Sequence, residues 1–109
     1  MRKSDINFTI ELDNKNVPEK ILWSATDKED DQLAETKSLS IGLWDHLNKN
    51  TLRIDLWTKE MPVEEMKRFY VDMIGGLAQS ILTATGDEYM ANEMQELCER
   101  LVKHLETKK

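Results

Sequence analysis

The first half of the chain alternates. Ile6, Phe8, Ile10 and Leu12 are separated by Asn7, Thr9 and Glu11, which is the period of a strand with one wet face. Asp13-Asn14-Lys15-Asn16 supplies turn chemistry, and Val17, Ile21, Trp23 and Ala25 then share one parity, with Pro18 near the strand entrance where a missing N–H is tolerated. The two segments, about 5–12 and 18–26, read as a hairpin. Asp27-Lys28-Glu29-Asp30-Asp31-Gln32 reads as a solvated connection. A second hairpin follows, with Leu39, Ile41 and Leu43 on one face of a strand over about 37–45, and Leu52, Ile54 and Leu56 on one face of another over about 51–58. A two-residue turn at either Leu47-Asn48 or Asn48-Lys49 keeps these faces together, so the register stays open.

After Lys59 the period changes to 3.6. Pro62 suits the first turn of a helix, Glu64 and Glu65 favour its positive end, and Met66, Phe69, Tyr70, Met73, Leu77, Ile81 and Leu82 recur at three and four. Gly75-Gly76 sits inside this helix, over about 62–85, at a cost of roughly 1 kcal/mol per glycine, which predicts a close backbone approach. Gly86 ends the helix, and Asp87 caps another over about 87–107 with Met90, Met94, Leu97, Cys98, Leu101, Val102 and Leu105 on one face. Lys103, His104, Lys108 and Lys109 lie where its dipole favours positive charge. The order β-β-β-β-α-α predicts an α+β domain spanning 1–109, a four-stranded antiparallel sheet with two C-terminal helices packed on its apolar face.

Composition narrows the function classes. With 109 residues the chain is one domain's worth, and the acidic balance, net −6, disfavours a phosphate-backbone ligand, which needs clustered Lys and Arg. A single cysteine, Cys98, forms no internal disulfide and no structural zinc site. The start, Met1-Arg2-Lys3-Ser4-Asp5, is followed by alternation and not by an apolar h-region, and the longest weakly polar stretch, Met73 to Ala78, is far short of the ~20 residues of a membrane span. The expectation is a cytoplasmic protein without direct membrane insertion.

No constellation of catalytic groups stands out. His46 falls on a predicted turn and His104 near the C-terminus, neither with converging partners, and both read as exposed. Cys98 on the apolar stripe reads as a small core residue. The acidic connection lacks the glycine and oxygen spacing of a calcium loop, and the Asn7-Phe8-Thr9 sequon lies mid-strand. No catalytic, cofactor or metal residue is expected. One feature does point outward: if the Leu and Ile rows face a core, alternation sends Trp44 and Trp57 to the opposite face with Ser38, Ser40, Arg53 and Asp55. Trp23, sharing parity with Ile21, is expected in the core. Trp and Arg anchor interfaces, which makes Trp44, Arg53, Asp55 and Trp57 the candidate partner contacts.

The runs Val17-Pro18-Glu19-Lys20-Ile21-Leu22-Trp23-Ser24-Ala25-Thr26-Asp27, Leu43-Trp44-Asp45 and Thr51-Leu52-Arg53-Ile54-Asp55-Leu56-Trp57-Thr58-Lys59, the last continuing into Met61-Pro62-Val63-Glu64-Glu65-Met66-Lys67, resemble the GldC family of gliding-motility-associated proteins of Bacteroidota. The likeness extends from the first strand to Leu105-Glu106-Thr107-Lys108-Lys109. It implies a small accessory protein of surface gliding, with the neighbouring lipoprotein GldB as an associated component, and it carries over no catalytic or cofactor residue. The resulting expectation is a non-enzymatic binding or assembly factor, cytoplasmic or held at the inner membrane by a protein partner, with homodimerisation left open. The alternative is a chaperone-like client binder linked to secretion, because the element order is similar to that of SecB, an analogy of fold alone.

Overall fold

The computed structural model describes residues 1–27 and 33–107. It divides into two compact units, Met1–Met61 and Pro62–Lys109. The acidic connection from Lys28 to Gln32, and Lys108 and Lys109, lie outside the described residues.

The first unit is built of strands. β1 (Ile6–Leu12) pairs antiparallel with β2 (Pro18–Ala25), from Ile6 opposite Ala25 to Ile10 opposite Ile21, with a bulge between Glu11 and Leu12. Asp13 organises the turn between them: its Oδ1 accepts the backbone N–H of Lys15 at 2.8 Å and of Val17 at 3.0 Å. Asn16 completes it at φ 63°, a left-handed conformation in which Asn is enriched. Ile21 is fully buried, and Trp23, on the same face, is half-buried.

A short strand, β3 (Ala34–Thr36), corrects the expected single four-stranded sheet. It pairs with β2, Ile21 opposite Thr36 and Trp23 opposite Ala34, and so occupies the edge on which a meander would have continued. The next strands, β4 (Ser38–Asp45) and β5 (Asn50–Trp57), form a sheet of their own. The α+β class stands, with five strands in two antiparallel sheets. Three residues are too few for alternation to register, which is why β3 is invisible in the hydropathy pattern.

Pairing in the second sheet is Leu39 with Leu56, Ile41 with Ile54 and Leu43 with Leu52, the register centred on Leu47-Asn48. The connection is a four-residue loop, His46 to Lys49, rather than a two-residue turn. Asp45 repeats the part of Asp13: its carboxylate accepts Leu47 N–H at 3.0 Å, Asn48 N–H at 3.3 Å and Asn48 Nδ2 at 2.8 Å, while Lys49 takes φ 56°. These bonds, the Asn48 side chain first, hold the Asp45 carboxyl below its ordinary value.

Burial along this sheet is graded. Leu39 is buried and Ile41 and Leu56 are half-buried, but Leu43, Leu52 and Ile54 near the loop are 54%, 51% and 46% exposed. At the other end, Thr58 is fully buried and its Oγ1 has no hydrogen-bond partner among the described residues, although its N–H reaches the Lys37 carbonyl at 2.9 Å. Lys59 then ties the two sheets together. Its N–H donates to the Pro18 carbonyl at 3.3 Å, and its Nζ reaches Asp13 Oδ2 at 2.8 Å.

The second unit is a helical hairpin, α1 (Val63–Thr85) and α2 (Glu88–Thr107). Pro62 precedes the helix in extended conformation, and its carbonyl accepts Met66 N–H at 2.9 Å. Gly86, at φ 73°, closes α1 in the left-handed conformation with its N–H on the Leu82 carbonyl at 2.8 Å. Asp87 Oδ1 then caps α2 through Met90 N–H at 3.0 Å. Val71, Ala78 and Ala91 are buried. Cys98 Sγ sits 3.5 Å from the Val71 carbonyl, and a Cβ added to Gly75 would come within 3.2 Å of that sulfur. Gly75 is therefore the close approach the sequence predicts; Gly76 meets nothing within 4 Å.

Candidate protein-binding surface

The face of the β4–β5 ladder opposite the Leu and Ile row carries four rungs. In order from the loop they are Trp44 with Thr51, Gly42 with Arg53, Ser40 with Asp55, and Ser38 with Trp57. Alternation thus brings Trp44, Arg53, Asp55 and Trp57 to one face, with the tryptophans at its two ends. Six residues separate their rungs, about 20 Å along the ladder. Trp44 is 65% exposed and Trp57 51%.

Between the rings lies a fixed polar cluster. Ser40 Oγ donates to Asp55 Oδ1 at 2.6 Å, and the Arg53 guanidinium lies 2.9 Å from both carboxylate oxygens of Asp55. The Ser40 hydroxyl, and after it Arg53, hold the Asp55 carboxyl below its ordinary value, so it is an anion at neutral pH. Among the described residues Arg53 pairs with Asp55, two residues away on the same strand, and its side chain is 58% exposed, which leaves guanidinium N–H groups facing solvent. Gly42, across from Arg53, has open space where a side chain would stand. The ensemble is a strip of two exposed rings flanking an oriented ion pair. Exposed Trp and Arg side chains of this kind are the types that anchor protein interfaces.

Other expected positions are less assembled. His46 and His104 are exposed on the β4–β5 loop and the last turn of α2, and no group of three His, Cys, Asp or Glu side chains among the described residues could hold a metal. Cys98 is half-buried at the contact of α1 with α2. The pairing of Asp13 with Lys59 escapes sequence reasoning. The turn chemistry around Asp13 is legible, but a cation arriving from 46 residues away leaves no local signal. Lys59, and after it the Val17 and Lys15 amides, lower the Asp13 carboxyl from 3.8 to about 2. The cleft beside it, about 490 Å³, is lined by Leu12, Asp13, Asn14, Lys15, Glu19 and Lys59, and Lys59 Nζ lies 2.8 Å from Asp13 Oδ2 and 3.9 Å from Glu19 Oε1.

Residues 18–107 match the family model described as gliding motility-associated protein GldC-like. The chain belongs to the GldC-like family. The matched range begins at the first residue of β2, so β1 lies outside it, whereas the whole β4–β5 strip and both helices lie within. No curated protein and no solved structure matches this GldC-like chain. Its family places it among gliding-motility-associated proteins. Among the described residues, no helix is long and apolar enough to cross a membrane.

Proposed function

We propose that this GldC-like chain is a non-enzymatic accessory protein of the gliding machinery that binds a protein partner through the strip from Trp44 to Trp57. The observation that carries the reading is the exposure of both indoles on a paired, hydrogen-bonded ladder, with Ser40 and Arg53 fixing Asp55 between them. Two-χ aromatic anchors on a rigid strand lose little conformational freedom on binding, so their buried area converts efficiently into affinity. A partner would meet the rings with apolar pockets and the ion pair with a carboxylate or carbonyl. The lipoprotein GldB, implied by the family setting, is the first partner to test, and a cytoplasmic chain held at the inner membrane through a partner is the arrangement this reading favours.

The test is affinity capture from a gliding cell with wild-type and Trp44→Ala/Trp57→Ala bait. Loss of specific partners from the variant, with the fold retained, supports the strip. Identical partner lists defeat it. The chaperone-like reading has less support, because the analogy with SecB rested on an order of four antiparallel strands followed by two helices, whereas five strands, in sheets of three and two, precede the helices. Suppression of aggregation of an unfolded test protein by this chain would restore it.

A further inference from the structure

The outer edge of β1 pairs with no other strand among the described residues. Backbone bonds at both ends of β1 fix which of its residues face β2: Thr26 N–H donates to the Asp5 carbonyl at 2.9 Å, and Asp13 N–H to the Val17 carbonyl at 2.9 Å. Bonded residues alternate along an antiparallel ladder, so Asn7, Thr9 and Glu11 turn their N–H and C=O groups to β2. Ile6, Phe8, Ile10 and Leu12 turn theirs outward. The register shift near the turn leaves this alternation intact, because the residue passed over, Glu19, is on β2.

Long open edges recruit strands, and proteins commonly blunt them with lysine, proline or brevity. The opposite edge of this sheet is brief, the three residues of β3. β1 has seven residues, no lysine, no proline and a single charge, Glu11. On its outward-bonding row Ile6, Phe8 and Leu12 are 66%, 39% and 51% exposed. What completes such an edge is an extended strand, and the sequence of β1 is complementary to itself. When it is paired antiparallel with a second copy about a two-fold axis at Thr9, Ile6 stands opposite Leu12 and Phe8 opposite Ile10, which joins every outward N–H and C=O across the axis. On the other face Thr9 meets Thr9 and Asn7 meets Glu11, so no like charges are opposed. Moving the axis to Phe8 sets Asp5 against Glu11, and moving it to Ile10 leaves Ile6 without a strand partner.

We infer that the outer edge of β1 is a two-fold interface, pairing around Thr9 with β1 of a second copy of this chain. The two three-stranded sheets then run on as one, from β3 of one copy to β3 of the other, and only the brief edges stay open. The interface does not depend on the proposed role of Trp44 and Trp57.

Light scattering on the full chain at tens of micromolar is expected to give a mass of twice 12.7 kDa. Thr9→Lys sets two ammonium groups opposite each other at an exposed position, and is expected to give the single-chain mass with circular dichroism retained. Should that variant fail to fold, single cysteines in a Cys98→Ser background decide both the contact and its register. Thr9 occupies a non-hydrogen-bonded rung of the new ladder, where opposite side chains are closest, so mild oxidation is expected to join two copies carrying Thr9→Cys. Copies carrying only Asn7→Cys, or only Glu11→Cys, are expected to stay separate, while a mixture of the two joins. A chain that stays monomeric overturns the inference, whether a thiol at position 9 is reactive, as at an edge left for another protein's strand, or is shielded from within the same chain. So does a folded Thr9→Lys variant that remains dimeric, or oxidation that joins copies equally at positions 7, 9 and 11.

Discussion

Replacing Gly76 by alanine should stabilise the helical unit, whereas the same change one residue earlier should not. Both glycines lie inside α1, where glycine costs about 0.8–1.0 kcal/mol relative to alanine through backbone entropy. At Gly76 an added Cβ meets nothing within 4 Å, so the full gain of about 1 kcal/mol should appear. At Gly75 the Cβ would stand 3.2 Å from Cys98 Sγ, closer than comfortable van der Waals contact, and that sulfur is engaged with the Val71 carbonyl at 3.5 Å. Overpacking of this kind costs about 1–3 kcal/mol, so Gly75→Ala should range from neutral to destabilising by about 2 kcal/mol. Removing the sulfur should restore the gain: in a Cys98→Ala background, Gly75→Ala should stabilise by about 1 kcal/mol, giving a coupling energy of at least that size in the double-mutant cycle. Urea unfolding followed by circular dichroism at 222 nm reads all four variants. Equal stabilisation at the two glycines, or a Gly75→Ala effect indifferent to Cys98, would refute the reasoning.

Two further outcomes follow from the strand unit. Asp13 has its carboxyl lowered from 3.8 to about 2 by Lys59 and the turn amides, so its contribution to stability is fully present above the unfolded value and is lost as the pH falls from about 4 to about 2. Asp13→Asn should therefore be less stable than wild type at neutral pH and flatter in a stability-against-pH curve across that window, and parallel curves would contradict the assignment. Thr58→Val removes a buried hydroxyl that has no partner among the described residues while keeping the shape of the side chain, and should raise stability by about 1 kcal/mol in the same denaturation assay; a loss of stability would show that the hydroxyl is satisfied.

The elements with strong periodicity were legible. The alternation from Ile6 and from Leu39, the 3.6 period after Pro62, the Gly86 stop and the Asp87 cap each correspond to observed geometry, because each rests on local backbone chemistry. What was lost is what depends on pairing between distant segments. β3 is three residues with no alternation of its own, yet by taking the free edge of β2 it divides the expected sheet in two. The alternation of Leu43, Leu52 and Ile54 reports the face on which each side chain stands, and not its degree of exposure. The same parity argument placed Trp44 and Trp57 together on the polar face, since it needs only the strand period and the hairpin register. The Ser40–Asp55–Arg53 cluster needed the register as well, because Ser40 and Asp55 meet across the ladder.

The link between Lys59 and the Asp13 turn also bears on the order in which the strand unit forms. Hairpins close over short loops within microseconds, whereas the Lys59–Asp13 contact must close 46 residues of chain, and the entropy of closure rises with that separation. Within the strand unit the short Asp13 turn can therefore close before the Lys59 contact, which needs the far end of the unit in place. The Asp13 carboxylate waits for its cation, and the two sheets acquire their joint only when the last residues of the unit arrive.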